Sequence, residues 1–173
     1  MKTADIKKHI RDIPDFPKEG IIFKDISTLL KNKEAFKKTI DVLAKKFKKS
    51  RVQYVVGVEA RGFIFGAALA YKLGCGFIPI RKKGKLPYKT KSITYQLEYG
   101  SDTLEIHEDA VPANGRVLVI DDLLATGGTV KAVTDLLKAQ KAKIVGVAFV
   151  VELKFLNGKD RLKELPVFSI IQY

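Results

Sequence analysis

Residues 117–130 read VLVIDDLLATGGTV, and the fold follows from how this stretch is parsed. Val117, Leu118, Val119 and Ile120 form an apolar run without alternation, the pattern of a strand buried on both faces of a parallel sheet. Asp121 and Asp122 close the run. In open α/β sheets ligands bind beyond the carboxyl ends of strands, so an acid pair in this position stands at the mouth of a site, placed to meet hydroxyl groups. Ala125, Thr126, Gly127, Gly128 and Thr129 follow, and then Val130, Ala132, Val133, Leu136 and Leu137 recur at the spacing of one helix face. A small-residue loop at a helix N-terminus presents free N–H groups, the positive end of the dipole and threonine hydroxyls to a phosphate dianion. Taken singly, Gly-Gly is a turn and Asp-Asp a strand end. In this order they read as acids for a sugar and amides for its phosphate, which points to a ribose 5-phosphate.

Outward from this unit, a second strand–loop–helix repeats the pattern. Tyr54 to Val58 read as a buried strand, EARG (59–62) bridges it to a helix from about Phe63 to Leu73, and Gly74 terminates that helix. Arg61 lies at the strand's carboxyl end, where its planar fork can hold two oxygens of a pyrophosphate. Gly57 and Gly62 superficially match the start of a nucleotide P-loop. Phe63 and Ile64 occupy the places where that loop requires Lys and Ser or Thr, and no G-x-G-x-x-G follows any strand, so ATP hydrolysis and nicotinamide chemistry are not indicated.

The first motif resembles the phosphoribosyl pyrophosphate (PRPP) motif of the type I phosphoribosyltransferases, and LLATGGT in particular resembles the adenine phosphoribosyltransferases. The likeness extends over nearly the whole chain. VVGVEARGFIFGA (55–67) resembles the family's pyrophosphate loop, which assigns Glu59, Ala60 and Arg61 to pyrophosphate and makes Glu59–Ala60 the candidate for a non-proline cis peptide. FPKEGIIFKDIS (16–27) is similar to the family's adenine segment. By that likeness Ile22, Phe23 and Lys24 are the adenine-binding residues: Ile22 offers main-chain groups to the base, Phe23 stacks on it, and Lys24 stands where many relatives have arginine. RKKGKLP resembles a pyrophosphate-contacting segment, in some members supplied by the neighbouring subunit, which implies Arg81, Lys82 and Lys85 as ligands and a homodimer. L-E-Y-G matches the position of the family's catalytic acid, here Glu98.

The remaining chain fits this frame. Thr3 is placed to cap a helix carrying Ile6, Ile10 and Ile13 on one side, which Pro14 would end. Asn32 is placed to cap another, whose stripe Phe36, Ile40, Leu43 and Phe47 faces a core. Gly76 to Ile80 read as a strand, residues 81–92 as a long basic loop, and residues 94–106 as a hairpin forming a flap. Ile144 to Val151 and Val167 to Ile171 read as further strands, with a helical turn or two between Leu153 and Leu165. The expected fold is therefore α/β: a mostly parallel sheet flanked by helices, in one phosphoribosyltransferase domain spanning residues 1–173. Residues 51–80 and 110–173 form its PRPP-binding core, and roughly 1–30 and 81–106 its small hood.

Composition narrows the function further. At 173 residues with 46% hydrophobic and 29% charged side chains, the chain reads as an ordinary globular protein with no apolar run long enough to cross a membrane. MKTADIKKHI lacks a signal-peptide core, and the single Cys75 forms no internal disulfide, so a cytoplasmic location is expected. The net charge of +13 invites nucleic acid, but 26 of the 32 basic residues are lysines spread along the chain, many on the wet face of the helix between residues 32 and 49. His9 and His107 lie far apart and form no zinc-like cluster with Cys75, so no protein-held metal is expected. The resemblance implies transfer of ribose 5-phosphate from PRPP to adenine, giving AMP and pyrophosphate in purine salvage, with Mg2+ carried by PRPP. Two alternatives share the motif: transfer to another base, and a non-catalytic PRPP-binding regulator of DNA.

Overall fold

In the computed structural model, residues 3–96 and 100–173 are described. The chain runs α1 (Thr3–Lys7), β1 (Arg11–Ile13), β2 (Phe23–Asp25), α2 (Ser27–Lys31), α3 (Lys33–Phe47), β3 (Tyr54–Val58), α4 (Gly62–Leu73), β4 (Gly76–Lys82), β5 (Thr90–Gln96), β6 (Ser101–His107), β7 (Arg116–Leu124), α5 (Gly128–Ala139), β8 (Lys143–Glu152) and β9 (Val167–Gln172). Two 3-10 turns, Lys154–Leu156 and Gly158–Leu162, connect the last two strands. Among the described residues no helix is long and apolar enough to cross a membrane.

The main sheet has the order β5-β6-β4-β3-β7-β8-β9, in which β4, β3, β7, β8 and β9 are parallel. Its apolar runs lack alternation because both faces are covered. Leu118, Ile120, Ala148 and Val150 pack with Ile40, Leu43, Phe47, Phe65 and Leu69 of α3 and α4. Val117, Val119, Val147 and Phe149 pack on the opposite side with Val130, Val133, Leu136 and Leu137 of α5. Each fully buried Leu, Ile or Phe contributes about 1.5–3 kcal/mol.

Local signals end the elements where the sequence places them. The Asn32 side chain accepts from the Ala35 N–H at 2.9 Å, capping α3, and Gly74 ends α4 at φ 68°. From β3 the chain moves first to β4 on one side and later to β7 on the other. The order therefore reverses between β3 and β7, and the crevice beyond their carboxyl ends is the switch point at which such sheets bind ligands.

Three expectations change. The strand read as closed by the acid pair runs on through Asp121 and Asp122 to Leu124, because residues 121, 123 and 124 keep pairing with Phe149, Val151 and Glu152 of β8. The first helix stops at Lys7 rather than running to Ile13, because residues 11–13 pair antiparallel with β2 in a separate two-stranded sheet. Arg11 donates to Asp25 at 2.6 Å and Lys24 to Asp12 at 2.7 Å across that ladder. The basic loop is also shorter than 81–92. Arg81 and Lys82 continue β4 to pair with Glu105 and Leu104 of β6, and β5 begins at Thr90. The hairpin β5–β6 is thus an antiparallel extension of the main sheet, and the two-stranded sheet is the other part of the hood.

Candidate active site

At the switch point the chain places its acids first. The Asp121 Oδ1 accepts the Asp122 N–H at 2.9 Å, and Asp122 is buried. Burial pushes the Asp121 carboxyl well above the usual carboxylate range, and the neighbouring Asp122 charge pushes the same way. Burial also raises Asp122, against the opposing pull of Arg61. The Arg61 Nε lies 2.9 Å from the Asp122 Oδ2, but no N–H aligns with that oxygen, which is buried without a hydrogen-bond donor. An acceptor left in this state suits a ligand hydroxyl. Gly62 lies against this pair, since a Cβ there would stand 2.8 Å from the Asp121 Oδ1.

The loop from Ala125 to Thr129 leads into α5, with Gly127 at φ 81° as its N-terminal flank and Gly128 as the first helical residue. A cavity of about 80 Å³ lies against residues 123–130 and Asp121. Gly127 is obligatory twice over: its φ is left-handed, and a Cβ would fall 2.4 Å from the Gly158 carbonyl oxygen. Gly158 is equally constrained, with 2.1 Å from a built Cβ to the Ala125 carbonyl oxygen. This second glycine carries no motif of its own in the sequence, although Asn157-Gly158 marks a turn.

Glu59 joins Ala60 through a cis peptide, as the likeness implies. The Glu59 carboxylate accepts from Arg81 Nε and Nη2, each at 3.3 Å, and from the Lys82 N–H at 2.9 Å. The Arg81 hydrogen bond is the main reason Glu59 is held below the usual carboxylate range. Arg81 also donates to the Lys85 carbonyl at 3.3 Å, so Lys85 reaches this cluster through its backbone. Lys82 Nζ lies 3.1 Å from Asp102, which pushes its ammonium pKa up. A cavity of about 360 Å³ brings Glu59, Ala60, Arg61, Lys82, Asp121, Asp122, Ala125 and Thr129 together. Tyr95 and Asp102 line it too, and neither was legible in the sequence as a site residue. The Tyr95 and Thr129 hydroxyls are 3.2 Å apart, joining the hairpin to the loop that opens α5.

The N-terminal residues divide. The Phe23 ring lies 5.1 Å from the Arg61 guanidinium carbon and is braced edge-on by Phe16. Ile22, just before β2, is exposed, and the turn behind it is fixed by Phe16 and Ile21 rather than by its own main chain. Lys24 points the other way, to Asp12 and to the ring of Tyr173 at 3.9 Å, as strand alternation requires. There it lines a mostly apolar cavity of about 380 Å³ with Ile22, Leu153, Phe155 and Tyr173. Glu98 lies outside the described residues.

Residues 25–171 match the phosphoribosyl transferase domain family. The chain is 56% identical to the adenine phosphoribosyltransferase of Trichodesmium erythraeum over 169 residues, 98% of this chain and 99% of that one. It is 56% identical to that of Chloroflexus aurantiacus over the full length of both. Among solved structures it is similar to the adenine phosphoribosyltransferase of Thermoanaerobacter pseudethanolicus, with TM-score 0.96, 48% identity and 99% and 100% of the two chains covered. It is also similar to the Saccharomyces cerevisiae enzyme complexed with an imino-altritol bisphosphate and adenine, with TM-score 0.92, 41% identity and 97% of each chain covered. An acid pair, a glycine loop and an arginine converging at one switch point, on a chain with these likenesses over its whole length, are features of one lineage: the chain belongs to the adenine phosphoribosyltransferase family of phosphoribosyl transferase domains.

Proposed function

We propose that the protein catalyses transfer of ribose 5-phosphate from PRPP to N9 of adenine, releasing pyrophosphate and forming AMP for purine salvage. The observation that carries this reading is the convergence of Asp121, Asp122, Arg61 and the two ends of the loop, Ala125 and Thr129, in one cleft at the β3–β7 switch point, with the smaller cavity of residues 125–129 sharing Asp121 with it. Each part meets one demand of the substrate. Asp121 and Asp122 accept the ribose hydroxyls, which satisfies the donor-less Asp122 Oδ2. The N–H groups and hydroxyls of residues 125–129 hold the 5-phosphate. Arg61, Arg81, Lys82 and Lys85, with the main chain at Glu59 and Ala60, receive the departing pyrophosphate, where fixed positive charge lowers the cost of bond breaking.

Mg2+ belongs to the PRPP in this scheme. The acid pair offers hard oxygens in the same cleft as the cationic Arg61 and Lys82 proposed for pyrophosphate. A cation brought on substrate oxygens would find Asp121 and Asp122 as the carboxylates nearest to it in this cleft. When bound, it neutralises pyrophosphate charge.

The base is placed against the Phe23 ring with its edge toward the Ile22 main chain. Adenine presents an N6 donor beside an N1 acceptor, which a peptide carbonyl and N–H match; hypoxanthine sets like against like at both contacts. Sites that read polar groups in this way discriminate by about 10⁴ or more. Glu98 acts as the acid that balances charge on the base. The working unit is a cytoplasmic homodimer, a reading supported by the likeness of RKKGKLP and by the exposed Ile64 and Tyr71 on α4. No specific nucleic acid is a partner.

Incubation with PRPP, Mg2+ and each purine in turn tests the reading. AMP and pyrophosphate are expected from adenine. Comparable nucleotide formation from hypoxanthine would sink the adenine assignment, and no nucleotide from any base would sink the transferase.

A further inference from the structure

The strand that carries the proposed base site is poorly supported by its own sheet. β2 has three residues and one partner strand, and an isolated two-stranded ladder is marginal in water. Something outside the ladder must fix it relative to the cleft.

Tyr173 is placed to do so. Its backbone belongs to the core: its N–H donates to the Glu152 carbonyl at 3.0 Å, and its own carbonyl accepts the Lys154 N–H at 2.9 Å. Its ring faces the hood. Lys24 Nζ, from β2, and Lys7 Nζ, from α1, each stand 3.9 Å from the ring centroid. Both ammoniums are anchored a second time, Lys24 to Asp12 of β1 at 2.7 Å and Lys7 to the Gln172 carbonyl at 3.0 Å. The Lys24 side chain is only 9% exposed, and cation–π attraction strengthens as the cation loses water.

We propose that Tyr173 is a positioning residue for the base site. Its ring, gripped by Lys7 and Lys24, fastens α1, β1 and β2, the N-terminal part of the hood, to the end of the core sheet and so sets where the Ile22 main chain and the Phe23 ring stand. This rests on the proposed function for its kinetic consequence but not for the mechanical one. Lys24 gains a role from the same contact, because from the side of β2 away from Phe23 it anchors the strand whose neighbouring residues meet the base.

Two substitutions separate the ring face from the hydroxyl. Tyr173→Leu removes the π face while keeping an apolar side chain; Tyr173→Phe keeps the face. The expected result for Tyr173→Leu is a rise of about three- to tenfold in KM for adenine, with KM for PRPP unchanged. Tryptic cleavage between residues 8 and 24 should be faster than in the parent by a similar factor. Tyr173→Phe should match the parent in all three measurements. Equal effects of Tyr173→Leu on both substrates, an unchanged KM for adenine with unchanged cleavage, or a Tyr173→Phe as impaired as Tyr173→Leu would each overturn the proposal. A parent protein that forms no AMP would refute the functional reading alone. In that case the cleavage rates still decide whether Tyr173 holds the hood.

Discussion

Replacing Gly158 by alanine should damage use of PRPP without unfolding the protein. The side chain at 158 touches no proposed ligand position, yet a Cβ there would stand 2.1 Å from the Ala125 carbonyl oxygen and 2.9 Å from the Gly127 nitrogen, both backbone atoms of the phosphate loop. Real Cβ atoms essentially never approach within 3.0 Å, so the loop or the 3-10 turn must move by about 0.9 Å. Displacement of ~1 Å in a positioning element costs on the order of 10²-fold in rate, or about 2.7 kcal/mol of transition-state binding. Overpacking of this kind costs about 1–3 kcal/mol of stability, less than a typical domain possesses. The assay is AMP formation at saturating adenine over a range of PRPP, with thermal melting as the folding control. kcat/KM for PRPP should fall by about 10²-fold while KM for adenine stays within a factor of two. A folded Gly158→Ala protein with kcat/KM for PRPP close to the parent's would refute the idea that this turn supports the phosphate loop.

Gly127→Val should nearly abolish PRPP use, because the position combines a left-handed φ of 81° with a 2.4 Å approach to the Gly158 oxygen; normal PRPP affinity in a folded variant, read by calorimetry, would remove residues 125–129 from the phosphate site. Ile22→Ala should weaken adenine use while keeping the preference over hypoxanthine, whereas Ile22→Pro, which deletes the N–H, should cripple it; kcat/KM for both bases across the series decides. Glu98→Gln should lower kcat more than it raises KM for adenine, and an unchanged kcat in a single-turnover experiment would exclude Glu98 from the chemistry. Asp25 is held at about 2, below its ordinary 3.8, mainly by the Ser27 N–H, with the Ser27 hydroxyl and Arg11 adding to it. A depressed carboxyl contributes stability that is complete above the unfolded pKa and is lost as pH falls through the folded one. The parent's stability advantage over Asp25→Asn should therefore hold at pH 5 and above and vanish between roughly pH 4 and pH 2, as measured by denaturant midpoints.

What could be read from the sequence divides by physical cause. Runs such as 117–120 and 54–58 declare themselves because burial on both faces demands apolar residues at every position, and Asn32 and Gly74 mark helix ends through backbone requirements that few residues meet. Arg81, Lys82 and Thr90 to Ile93 gave no such signal. They are strand residues with mainly polar, solvent-facing side chains, and the ladder to β6 that holds them is a long-range pairing no local pattern records. The stretch from Ile6 to Ile13 misled for the opposite reason. Its apolar residues fit a helical spacing, but the ladder of Arg11, Asp12 and Ile13 against β2, with its two ion pairs, outweighs local helix preference.

The site divides in the same way, between groups that act by their own chemistry and groups that act through position. Asp121 and Asp122 are acids within the last residues of an otherwise apolar β7, and Arg61 and Gly127 cap the helices that follow β3 and β7, so a chemical reading of residue type finds them. Gly158, Tyr95, Asp102 and Tyr173 carry no such mark: their importance lies in the Ala125 carbonyl, the Thr129 hydroxyl, the Lys82 ammonium and the two lysines they touch, all of them distant in the chain. Lys24 shows why the two readings must be combined. Its place in the base segment suggests a ligand, and its ammonium is instead committed to Asp12 and Tyr173. Under the proposed function, a lysine committed in this way leaves recognition of the base edge to the main chain. Substitutions at residue 24 should then act on the hood's position rather than on the choice between adenine and hypoxanthine, since the proposed function assigns the donor–acceptor order that separates those bases to the Ile22 peptide groups, which a side chain at 24 leaves in place.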